Sequence, residues 1–317
     1  MTKNMKRSVL LITLILLAVL PLLGNNYAGE IFTFSPGAMN NAMGNTGLCL
    51  PSSHASGWWN PALPALDNNR SAEIMHSNFF DGLLAQNQLS MRFGQGFSLT
   101  VNHLKIDKVK LTLLENEDED ISDSNRPYAY KTISNQDLIL YGSFGRALSE
   151  NFAFGISPKL AYRNLAEHSG YGFGADLGAY YKINKHLDLG LNLRDFFGTQ
   201  ILWENSTHEV ALPNLDMELS SNFEISSKNI PVHVALRAQN FYEQRENASS
   251  DGIRSEFHAG IMLRPIPALG IMGGYDTDSF TAGVELNLYD FGLNYAFKNK
   301  AENGLGHTQR VSLSYSW

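Results

Sequence analysis

The chain has little helical periodicity, one cysteine and no clustered run of positive charge. Cys49 alone cannot form an internal disulfide, so it reads as a small buried hydrophobe. Among 317 residues there are 24 basic and 31 acidic ones, a formal charge of −7 with no Lys/Arg cluster, which excludes nucleic acid as the main partner. Catalytic signatures are missing as well. No Gly-x-Ser-x-Gly elbow is present, and His208-Glu209 has no histidine three residues further on. The glycines from Gly172 to Gly178 are followed by no helix that could seat a dinucleotide. The chain therefore reads as a non-enzyme, and no cofactor or metal site is implied.

Long apolar runs are also lacking after the first residues. Lys3, Lys6 and Arg7 precede an apolar stretch from Val9 to Leu23, then small residues from Gly24 to Gly29. This pattern reads as a secretory signal peptide over 1–28, with an uncleaved anchor as the alternative. Without its three basic residues the balance becomes 21 basic against 31 acidic, a formal charge of −10.

What is present is period two. Leu187, Leu189, Leu191 and Leu193 alternate with Asp188, Gly190, Asn192 and Arg194, and similar segments recur through 71–317. They predict fourteen strands near Ala72–Asn78, Leu83–Phe93, Gly96–Ile106, Gln136–Arg146, Asn151–Arg163, Ser169–Lys182, His186–Phe196, Asn214–Ile225, Ile230–Asn240, Arg254–Arg264, Ala268–Tyr275, Ser279–Leu286, Asp290–Phe297 and His307–Trp317. Connections alternate between tight turns, such as Gly94-Gln95-Gly96, and long pieces, such as Asp107 to Ser134 and Phe197 to Pro213. Short turns at one end and long loops at the other, around strands long enough to cross a bilayer, describe an all-β transmembrane antiparallel barrel. A proline removes a ladder hydrogen bond, and only Pro158 falls well inside an expected strand. It marks either an interruption that opens a lateral path through the wall, a bulge, or a distortion at the rim. On the polar faces, Lys159, Arg163, Asp176, Asp188, Arg194, Arg237 and Glu285 point to an ion-paired lumen, because a basic residue facing lipid at mid-membrane costs about 2–4 kcal/mol.

The final strand alternates without error. Val311, Leu313, Tyr315 and Trp317 share a face with Gln309, while Arg310, Ser312, Ser314 and Ser316 share the other. The terminal aromatic resembles the signal read by the barrel-assembly machinery, which makes that machinery, outer-membrane lipid and lipopolysaccharide the expected partners. An acidic run (Glu115, Glu117, Asp118, Glu119, Asp120, Asp123) lies in the longest expected loop. It reads as a solvated loop or as a divalent-cation contact to lipopolysaccharide.

Before the first strand lie Gly37-Ala38, Met43-Gly44, Ala55-Ser56, Trp58-Trp59 and Asn60-Pro61-Ala62-Leu63. These residues resemble the opening of the PorV/PorQ group of outer-membrane proteins, relatives of the FadL fatty-acid transporters, whose chains begin "G-A-R-A-L-G-M-G-G-A" and then "D-A-S-A-x-x-x-N-P-A-x-L". Leu48-Cys49-Leu50-Pro51-Ser52-Ser53-His54 departs from the acidic stretch usual there. The last hairpin, from Leu293 to Leu313, is similar too. The resemblance implies a barrel of about fourteen strands over 71–317 in a Gram-negative outer membrane. Segment 29–70 would fold into the lumen as a hatch, carried by Gly37, Gly44, Trp58, Trp59, Asn60, Pro61 and Ala62. Interfacial anchoring is the alternative role for the two tryptophans. The implied function is a docking or accessory role in type IX-like protein secretion, with secretion cargo as partner. A FadL-like passive transporter of a hydrophobic ligand is the alternative, and a blocked lumen argues against a general diffusion porin.

Overall fold

A computed structural model describes residues 29–225, 230–243, 252–299 and 306–317, so the expected leader over 1–28 lies outside the described residues. The chain forms β1 (Ser71–Phe79), β2 (Leu84–Gly94), β3 (Phe97–Leu113), β4 (Tyr128–Ala147), β5 (Phe152–Leu165), β6 (His168–Lys182), β7 (Leu187–Arg194) and a short hairpin of β8 (Thr199–Trp203) and β9 (His208–Ala211). Then come β10 (Asn214–Ile225), β11 (Ile230–Glu243), β12 (Gly252–Ile266), β13 (Leu269–Asp276), β14 (Ser279–Leu288), β15 (Phe291–Lys298) and β16 (Thr308–Ser316).

Fourteen of these strands close on themselves, each antiparallel to its neighbours, with β5 pairing β6 and β16 pairing β1. Closure leaves no free edge among the wall strands. The two extra strands, β8 and β9, were not expected from the sequence and occupy the expected loop Phe197 to Pro213. The expected loop 107–134 is also shorter than the sequence suggests. β3 and β4 continue as a hairpin through most of it, leaving 114–127 at the tip with the acidic run. At the other end, β14 runs on to Leu288, so the turn there is Tyr289–Asp290.

Alternation sorts the side chains. On β5, Lys159 is 2% exposed while Leu160 beside it is 59% exposed. The polar faces point inward and the apolar faces outward, as in outer-membrane barrels. Outward rings at the short-turn end meet in a row: Phe93 on Phe97, Phe97 on Phe144 and Phe291 on Tyr315, with centroids 5.0, 5.0 and 4.9 Å apart. Tyr162 with Tyr171 and Tyr275 with Phe280 lie toward the long-loop end. Amphipathic rings at both levels suit two interfaces. The Gly94-Gln95-Gly96 turn needs a left-handed backbone at all three residues (φ 74°, 55° and 83°), which explains its two glycines.

Candidate functional site

Segment 30–66 runs against the inward faces of the wall, and its backbone is satisfied by wall side chains. Gly37 N–H donates to Gln88 Oε1 (3.1 Å), Gly44 N–H to Thr281 Oγ1 (2.9 Å), and Gly47 N–H and Cys49 N–H to the two oxygens of Glu218 (2.8 and 2.9 Å). In return, Ser143 Oγ donates to the Gly57 carbonyl (3.0 Å) and Asn192 Nδ2 to that of Trp59 (2.9 Å). Each buried backbone group that finds such a partner avoids the cost of an unmade bond. Burial and the adjacent Glu218 carboxylate push the Cys49 thiol well above its ordinary range, so it stays protonated and inert.

The Asn60-Pro61-Ala62 phrase has a seat in the wall. Gly145, Gly155 and Gly178 are cross-strand partners on β4, β5 and β6, and a side chain on any of them would collide with Asn60 or Pro61. Asn60 Nδ2 donates to the Ala179 and Leu48 carbonyls at 2.9 and 3.0 Å, tying the phrase to β6 and to its own segment. Of the glycines on β6, only Gly178 faces this segment. Gly172 and Gly174 lie against the β8 strand and Thr199. At the other contact Gly44, with φ 68°, lies against the backbones of Ala259 and Tyr275.

The inward charges meet in groups. Asp216 Oδ2 accepts from Arg194 Nε (2.8 Å) and from an Arg237 NH group (2.9 Å). Arg194 lies over the Trp58 ring (4.1 Å) and Arg237 over Trp59 (5.3 Å), and both donate to carbonyls of the segment, those of Trp58 and Asn45. Lys159 pairs with Asp176 (2.8 Å) and Asp195 (2.6 Å) and lies 4.4 Å from the Phe32 ring. Arg163 pairs with Asp137 (2.7 Å), Glu285 with Arg264 (2.9 Å), and Asp188 accepts from Asn222 (3.1 Å). The tryptophans are thus placed inside, with Trp58 2% and Trp59 0% exposed. Asp216, Glu218 and Arg310 lie on polar faces that alternation alone marks as inward. Asp195 sits in a turn, where nothing in the sequence distinguishes it.

Pro158 faces outward on β5. The β4–β5 ladder runs to Tyr141↔Lys159 and resumes at Phe144↔Ile156 in the same register, so two pairs are missing and there is no bulge. Behind the gap, Ser143 and Ser157 hydroxyls meet at 2.7 Å. On the opposite side Pro158 pairs with Ala175, at the level where β6 loses its neighbour. There β7 ends at Arg194 and β8 begins at Thr199, and the turn between them reaches β6 through Phe196 N–H to the Ala175 carbonyl (3.1 Å) and Asp195 N–H to the Asp176 carboxylate (2.8 Å) in place of a ladder. Weak ladder therefore continues across one level from β4 to β8.

Cavities open at both ends. Two adjoin at the long-loop mouth, of about 630 and 640 Å³, sharing Phe34, Arg254, Glu256, Asp276, Thr277 and Lys298. A third of about 600 Å³ lies at the short-turn end beside His186, His233 and Arg264. Among the described residues, no group of three or more His, Cys, Asp or Glu side chains could hold a metal ion. Within the acidic run, Asp123 pairs with Arg126 (2.5 Å). At the end of the chain, Val311, Leu313, Tyr315 and Trp317 all face outward on the strand that pairs with β1 and β15.

No protein-family model and no curated protein sequence matches the chain. Among solved structures it is similar to the toluene transporter TbuX of Ralstonia pickettii, with a TM-score of 0.53, 12% identity, and 90% of this chain and 98% of that one covered. It is likewise similar to the toluene transporter TodX of P. putida, with a TM-score of 0.56 at 12% identity and the same coverage. At such identity the likeness establishes the fold alone, a closed antiparallel barrel of the kind these transporters have.

Proposed function

We propose that the protein is a passive transporter of hydrophobic small molecules across a Gram-negative outer membrane, with segment 30–66 as a plug. The observation that carries this reading is the combination of a filled mid-barrel with a wall weakened at one level. A lumen crossed by Trp58, Trp59 and the Asn60–Ala62 phrase blocks straight-through diffusion. The missing pairs around Pro158 and the break between β7 and β8 offer a way out through the wall into lipid. An apolar solute gains by that route, since it passes from the lumen to hydrocarbon without crossing the polar short-turn end. The neighbours named as toluene transporters share the fold over nearly their whole length, which supports the same class of cargo here. Neither the geometry nor these neighbours supports the docking role that the PorV/PorQ resemblance implies.

Flux of toluene into liposomes carrying the purified protein tests the reading. Wild-type protein should speed uptake well above protein-free liposomes while passing little ionic current. Pro158→Val, which restores the capacity for a ladder bond, should slow uptake severalfold with current unchanged. No acceleration by the wild type would end the transport reading, and unchanged uptake by Pro158→Val would end the lateral path.

A further inference from the structure

Among the described residues, the mouth cavities hold one cation with no carboxylate paired to it. Arg310, on the inward face of β16, is 5% exposed and lines the cavity of about 640 Å³. Its guanidinium lies 4.8 Å from the Phe79 ring. Its Nε is buried with no hydrogen-bond partner, and no carboxylate among the described residues pairs with it. The nearby acids are engaged elsewhere. Asp276 accepts from Lys298 Nζ (2.7 Å) and faces His258 Nδ1 (2.9 Å), Glu256 pairs with Arg254 (3.1 Å), and Asp278 is solvated at the rim. Three rings, Phe34, Phe79 and Phe80, line the cavity with Arg310 among polar and charged side chains. Phe34 meets Phe79 edge-on at 5.4 Å and Phe80 adjoins Phe79 at 6.1 Å.

From this we infer that the mouth cavity binds a ring-bearing carboxylate. Its carboxylate seats on the open edge of Arg310 and its ring packs against Phe34 and Phe80. The inference rests on the transport reading above and narrows its cargo. A buried guanidinium stacked on one face presents its edge for planar, two-point recognition of a carboxylate. A bare hydrocarbon would leave that cation unpaired and dehydrated, which is costly, whereas an acid offsets the cost and still buries its ring. The ligand is thus held first by charge at the mouth, and its apolar body faces the plug.

The full-length protein in detergent, titrated at low salt by calorimetry with 4-phenylbutyrate and with its uncharged isostere 4-phenylbutyramide, tests this. The acid should bind roughly tenfold or more tightly than the amide, the difference a hydrogen bond to a charged group makes. Arg310→Met, similar in length and apolar, should abolish that preference and leave amide binding unchanged, and Arg310→Lys should restore part of it. Equal affinity of the wild type for acid and amide overturns the inference without any variant. So does a preference that survives in Arg310→Met protein shown to be folded by its heat-dependent gel shift. Toluene flux without acid preference sinks this inference alone, whereas acid preference without flux of any hydrophobe sinks the transport reading alone.

Discussion

Arg194 and Arg237 lie over Trp58 and Trp59 much as Arg310 lies over Phe79, yet the surroundings of these cations differ. At mid-barrel the two guanidiniums share one carboxylate, Asp216, and spend further donors on carbonyls of segment 30–66. At the mouth the guanidinium has a ring and a cavity and, among the described residues, no carboxylate paired with it. The same pairing of cation and ring thus serves as a clamp where an acid closes it and as a receptor where none does. Desolvation decides between the two. A buried charge that finds its partner within the chain fixes structure, and one that does not is free to select a ligand.

Removing the closing acid should have the largest effect. Asp216→Asn leaves two buried guanidiniums facing each other without their counter-charge, an arrangement that costs about 3–5 kcal/mol. Urea unfolding in detergent should show that loss, and single-channel recordings should show ion current as the segment loosens. An unchanged midpoint would mean that water already satisfies Arg194 and Arg237, and the clamp would not differ from the mouth. A smaller effect is expected at the glycine row. In Gly155→Val the new side chain runs into the Pro61 carbonyl, and such overpacking costs about 1–3 kcal/mol. Here the wall should persist, with heat-dependent gel mobility retained, while ion current rises. Current as low as in the wild type would show that Asn60–Ala62 can shift without opening the lumen.

The wall was legible because period two states which face each residue takes, and every expected strand is found. The β8–β9 hairpin was not, since Ile201 and Val210 sit in runs of five and four residues, too short to establish alternation. The outer part of β3 and β4 was hidden for another reason. Val109, Leu111 and Leu113 still alternate with Lys108, Lys110 and Thr112, but the register shifts between Ile106 and Val109, where Lys108 has a φ of 60°, and this irregularity cuts the run off from the wall strand. Parity marked Lys159, Arg194 and Arg237 as inward, but their partners depend on register across several strands. Asp195 pairs with Lys159 from a turn that no pattern in the sequence places there. The glycines at Gly145 and Gly155 carry no meaning until register sets them beside Gly178.

The effect that is smallest at neutral pH, because it appears only on acidification, tests whether the segment is held at its short-turn side as firmly as at mid-barrel. His54 Nδ1 meets Ser71 Oγ at 2.9 Å, beside Arg92, which donates to the Pro51 carbonyl and pairs with Asp67 (2.6 Å). Burial, and then the Arg92 charge, hold the imidazole neutral, its pKa pushed down to about 4 from 6.5. The unfolded chain therefore binds this proton more readily than the folded one between those values. Stability is intact above pH 6.5 and falls as the pH drops toward 4, by at most about 1.4 kcal/mol per pH unit. In His54→Gln, which keeps a hydrogen-bonding side chain without the titration, unfolding midpoints between pH 6.5 and 4 should fall less steeply than in the wild type. Parallel pH profiles would mean that His54 is solvated in the folded protein. The segment would then be gripped through Asp216 and the glycine row, with its short-turn side left loose.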